Sequence, residues 1–95
     1  MISEAQKENI LRVARLALDE LRGAEFHVRR RAVMTVPIVL GHRIGVEDLQ
    51  DQPWGVVGQC ANCGQIAKAP REGDTIEGRA VSTVCPAFTP KKDAP

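Results

Sequence analysis

A chain of 95 residues with 13 Lys and Arg against 12 Asp and Glu, a net charge of +1, lacks the strong positive field of a dedicated nucleic-acid binder. That length holds one domain, whose folding buries roughly two-thirds of the unfolded chain's surface. Aromatic residues make up only 3% with no Tyr, so a small core without large rings would gain from a staple such as a metal ion.

No apolar run approaches the ~20 residues of a membrane span. The opening "MISEAQKENI" is polar where a secretory signal would be basic and then apolar, so a cytoplasmic protein without membrane contact is expected. In that compartment three cysteines, two of them in C-x-x-C, argue for metal or redox chemistry over disulfides.

In chain order, residues 3–22 read as an amphipathic helix, because Ile10, Ala14, Ala17, Leu18 and Leu21 recur at three- and four-residue spacing. Ser3 with Gln6 fits a capping box, and Gly23 fits a left-handed C-terminal cap. Glu8 and Arg12 are spaced for an ion pair on the helix surface. The apolar positions Ile10, Leu11, Val13, Leu16, Leu18 and Leu21 spread beyond one narrow stripe, which predicts intermolecular contact through this helix in a homodimer.

Residues 25–57 read as strands and loop. From Glu25 to Leu40 the residues Phe26, Val28, Ala32, Met34, Val36, Ile38 and Leu40 share one parity, which predicts one long strand or two strands broken near Pro37. The opposite parity carries His27, Arg29 and Arg31, and Arg30 interrupts the apolar one. "GHRIG" (41–45) is a glycine-bracketed loop, Val46–Gln50 one helical turn, and "DQPWG" (51–55) a turn whose Trp54 is expected to lid the core. Ile66–Ala69 and Thr75–Val84 look like hairpin strands around "PREGD", and the tail 89–95 is expected to be disordered.

The chemistry concentrates in "GQCANCGQ" (58–65). Two thiols separated by two residues can share a tetrahedral ion, and Gly64 allows the tight turn that aims backbone amides at the sulfurs. The spacing Cys60-x2-Cys63-x21-Cys85 resembles a zinc ribbon over residues 57–88, where a C-x-x-C-G knuckle is followed by a hairpin and a second knuckle. In that family the second knuckle is again C-x-x-C, whereas "CPAF" puts Phe88 at the fourth position. A closed site then needs a fourth ligand of another type. His42 lies in a loop that can turn its ring inward, while His27 alternates with arginines; a carboxylate such as Asp74 or Glu77 is the less usual alternative. Cys60, Cys63, Cys85 and His42 are therefore the expected ligands of one structural zinc.

The expected fold is α+β: an N-terminal amphipathic helix packed on a small antiparallel sheet with a zinc-ribbon-like C-terminal lobe, residues 1–88 forming one domain. The expected function is a small zinc-stabilised protein-interaction or regulatory module and not an enzyme, since four protein ligands would close the ion to substrate. A nucleic-acid-binding regulator using Arg29, Arg30, Arg31 and Arg43 is the alternative, and a thiol redox protein a more distant one.

Overall fold

The structure, a computed structural model, describes residues 2–88. The tail expected to be disordered lies outside the described residues. Two helices, α1 (Glu4–Glu20) and α2 (Phe26–Val39), precede a 3-10 turn (Val46–Asp48), three strands, β1 (Leu49–Gln52), β2 (Gly55–Gln59) and β3 (Ile66–Pro70), and a second 3-10 turn (Arg79–Val81). The strands form one antiparallel sheet in the order β1-β2-β3, giving the α+β arrangement expected.

α1 begins with both halves of the capping box: Gln6 N donates to Ser3 Oγ at 3.1 Å, and Ser3 N donates to Gln6 Oε1 at 2.8 Å. It ends before Gly23, which takes a φ of +79° and donates its N–H to the Asp74 carbonyl at 2.8 Å. Arg12 bonds Asn9 instead of Glu8. Ala14 is buried, and Ala17, Leu18 and Leu21 pack on the core, while Val13 and Leu16 stand exposed.

The strand expected over residues 25–40 is a helix. Its buried positions, Arg29, Ala32, Val33, Val36, Pro37 and Leu40, step by three and one, the period of a helical stripe. Two of the residues that suggested alternation face solvent, Ile38 at 62% exposure and Val28 at 43%. β-branched residues do not prevent this, because helix propensity is a weak preference that burial overrides. Pro37 sits in the last turn, so the i→i−4 bond it cannot make is lost only where the helix is already ending, and its carbonyl accepts from both Leu40 N and His42 N at 3.0 Å.

α2 lies across β2 and β3, and α1 packs against α2. The sheet's covered face carries Val56, Gly58, Ala67 and Ala69. Gly58 is small of necessity, since a Cβ there would run into Ile44, Leu49 and Val33. The hairpin strand expected over Thr75–Val84 reduces to a single bridge, Glu77 with Lys68, joined by N–H to O bonds of 2.8 and 3.0 Å. Gly78 then turns the chain at φ +121° against the Ile66 carbonyl, and Ile76, Ala80 and Val81 bury at the spacing of a helical turn.

Arg29 is 2% exposed and inside the fold, where the sequence pattern had put it on a solvated strand face. Its guanidinium donates to the carbonyls of Ala24 (3.0 Å), Pro70 and Arg71 (3.2 Å), which ties the α1–α2 turn to the end of β3. The guanidinium carbons of Arg29 and Arg71 lie 5.5 and 4.7 Å from the centre of the Phe26 ring. Trp54, the expected core lid, is 45% exposed in the β1–β2 turn, with Lys68 Nζ 6.0 Å from its ring. No helix among the described residues is long and apolar enough to cross a membrane.

Candidate metal centre

Three segments meet at one point. The C-terminal end of α2 delivers His42, which is 3% exposed, through Gly41 at φ +80°. The β2–β3 connection delivers Cys60 directly after the last residue of β2, and Cys63 three residues on. The segment after Arg79–Val81 delivers Cys85, whose N–H donates to the Leu40 carbonyl at 2.9 Å. The ligand atoms of His42, Cys60, Cys63 and Cys85 all lie within 4.8 Å of one another.

The turn holding the two knuckle cysteines is fixed by backbone bonds. Cys60 N donates to Gln65 O at 2.8 Å, Gly64 N to Cys60 O at 2.9 Å, and Ala61 N to Arg43 O at 2.8 Å. Gly64 takes a φ of +79°, as such a turn requires. The amides of Arg43 and Asn62 donate to Cys60 Sγ at 3.3 and 3.4 Å. Burial on its own would raise the Cys60 pKa, but these amides, that of Cys63 and the His42 ring outweigh it and bring the thiol down to about 6. Burial and the neighbouring sulfurs of Cys60 and Cys85 push the Cys63 thiol up to about 11, against a lowering bond from Gln65.

His42 Nε2 lies 2.7 Å from the Thr83 carbonyl oxygen. A carbonyl only accepts, so Nε2 carries a proton, and in the neutral ring, the form that binds a metal ion, Nδ1 then holds the lone pair. That lone pair faces the thiols, 3.4 Å from Cys63 Sγ. The edge between a sulfur and a nitrogen of a tetrahedral zinc site, from bond lengths of ~2.3 and ~2.0 Å, is about 3.5 Å. The donor set thus fits a thiolate-binding ion, and these four residues could hold one.

The other candidates lie elsewhere. His27 is exposed on α2, its Nδ1 3.3 Å from a Glu25 carboxylate oxygen, and neither it nor Asp74 or Glu77 belongs to the cluster. Phe88, at the position of a ribbon's fourth cysteine, packs its ring over Gly41, where any Cβ would collide with it. Thr83 escaped sequence reasoning because its contribution is a main-chain carbonyl, which no residue type announces. Its hydroxyl lies 2.8 Å from both Gln65 Oε1 and Arg79 O and gives its one proton to either, joining the knuckle to the Cys85 segment.

Two of the four arginines Arg29, Arg30, Arg31 and Arg43 have partners within the fold. Arg29 is committed to carbonyls, and Arg30 pairs with Asp51 through bonds of 3.1 to 3.3 Å, leaving Arg31 and Arg43 exposed. Compared with protein-family models, curated proteins and solved structures, the chain gives no match. The site stands on its own geometry.

Proposed function

We propose that this chain is a small zinc-stabilised protein-interaction or regulatory module, in which Cys60, Cys63, Cys85 and His42 hold one structural Zn²⁺. The observation that carries this is the orientation of His42, with Nε2–H on the Thr83 carbonyl and Nδ1 turned to the thiols. Zinc-bound histidines are held in this way, the outer hydrogen bond fixing tautomer and ring direction. Three thiolates and an imidazole complete a tetrahedral set and leave no position for substrate, so the ion's role is to join three segments of chain. The surface offered to a partner is the outward side of α1, where Val13 and Leu16 are exposed, and a second copy of the chain is the occupant expected from the helix's wide apolar spread.

Native mass spectrometry tests both parts in one measurement. One zinc per chain, in a dimer, is the expected spectrum. A chain purified without chelators that takes up no zinc would refute the metal assignment, and a zinc-loaded monomer at high concentration would refute the self-association alone.

A further inference from the structure

The four ligands are not equally protected. Cys60 and Cys85 are each 2% exposed, whereas Cys63 is only partly buried and sits in a turn whose neighbours Ala61, Asn62 and Gly64 all face solvent. The Cys60 sulfur accepts N–H bonds from the Arg43 and Asn62 amides at 3.3 and 3.4 Å, whereas the contact of the Cys63 sulfur is with His42 Nδ1 at 3.4 Å. Amide donors draw charge from a thiolate and occupy its lone pairs, so the sulfur with fewer donors and more solvent is the stronger nucleophile. Resting on the zinc assignment above, we propose that Cys63 is the modification site of the centre. Oxidants of the peroxide class attack there, and a Cys60–Cys63 disulfide then forms and discharges the ion.

The chemistry closes without other reactants. The Cys63 thiolate attacks one peroxide oxygen; the O–O bond breaks, hydroxide leaves, and the sulfur, two electrons poorer, becomes a sulfenic acid. The Cys60 thiolate then attacks the Cys63 sulfur, the S–S bond forms, and the sulfenic oxygen departs as a second hydroxide. With two protons from solvent, two thiolates and one hydrogen peroxide give one disulfide and two waters. Cys60 is the partner because a single turn, closed by the bond from Gly64 N to Cys60 O, separates the two cysteines. Cys85 belongs to a separate segment held to Leu40. Disulfide formation removes two of four ligands, and His42 with Cys85 alone cannot retain zinc against a chelator.

The test uses the full-length zinc-loaded protein, its loading verified first by native mass spectrometry. Under limiting N-ethylmaleimide, peptide mapping is expected to find Cys63 labelled several-fold ahead of Cys60 and Cys85. Under hydrogen peroxide, zinc release to a chromogenic chelator is expected to run in step with a two-hydrogen mass loss mapped to Cys60–Cys63, and dithiothreitol with zinc should restore the starting species. Labelling that begins at Cys60 or Cys85, or zinc release with a disulfide that includes Cys85, would overturn the proposal while leaving the zinc assignment intact. A protein that carries no zinc before the reagents are added fails the assignment itself, and the proposal with it.

Discussion

His42 and Thr83 are joined by a 2.7 Å bond from Nε2–H to a main-chain carbonyl, across 41 positions of sequence, and this bond decides which ring nitrogen faces the cysteines. The imidazole is aligned by the same segment that carries Cys85. Loss of the ring should therefore affect the metal more than loss of an outer contact.

His42→Ala is expected to weaken zinc binding by more than the roughly 10–100-fold that removal of an outer hydrogen bond costs. His27→Ala should leave it unchanged, because that ring is exposed beside Glu25. Competition with a chromogenic chelator compares the two variants directly; equal affinity for His42→Ala and the parent would remove His42 from the ligand set.

Zinc uptake should be coupled to protons. In the metal-free protein the Cys63 thiol sits at about 11, so at pH 7 it is protonated, and the ion must displace that proton to bind. Cys60 sits at about 6 and is mostly thiolate at pH 7, but it takes up a proton as the pH falls through that value. Affinity should thus rise with pH throughout the neutral range and fall more steeply below pH 6. Calorimetric titration of zinc in buffers of different ionisation enthalpy measures the released protons, and a pH-independent affinity would contradict this.

Chelation should lower stability, since ion binding and folding share one free energy where the ligands come from separate segments. Thermal melts followed by circular dichroism are expected to shift down on removing zinc and to recover on adding it. An unchanged melt would mean that the thiols pack as ordinary buried side chains.

Arg29→Ala should destabilise the zinc-loaded protein by about 3 kcal/mol, because three carbonyls lose a charged donor and a buried space opens. Arg31→Ala, on the exposed side of α2, should stay within about 0.5 kcal/mol. Urea unfolding resolves the difference. In the same preparations, replacing the exposed Arg31 and Arg43 together should leave any weak nucleic-acid affinity within a few-fold, and a clear loss with a flattened salt dependence would favour a phosphate-binding role.

The contrast between α1 and α2 explains what could be read from residues alone. α1 announced itself through Ser3, Gln6 and Gly23, residue types that act locally and mean the same thing in most contexts. α2 did not, because a charged residue occupies its buried stripe. With Arg29 counted as solvent-facing, Ala32, Met34, Val36 and Ile38 suggest period two; with Arg29 counted as buried, 29, 32, 33, 36 and 40 give period 3.6. Its partners are carbonyls of Ala24, Pro70 and Arg71, and main-chain acceptors leave no mark in a sequence. The proximity of His42, Cys60, Cys63 and Cys85 was legible for the opposite reason, since thiols and imidazoles declare their chemistry and Gly64 declares the turn.

The meeting of residues 42, 60, 63 and 85 also bears on the order of folding. The helical hairpin and the β1–β2 turn close over short stretches of chain, whereas the metal centre brings together residues up to 43 positions apart, the difference between 85 and 42. Long closures are costly in entropy until the contact that rewards them is made, so the centre should assemble late, with the other long closures such as Gly23 to Asp74 and Arg29 to Pro70. Zinc added to a partly folded chain would then act chiefly on the rate of unfolding, as a latch fastened after the helices and sheet are in place, and the lifetime of the native protein would track the supply of metal more closely than the speed at which it first folds.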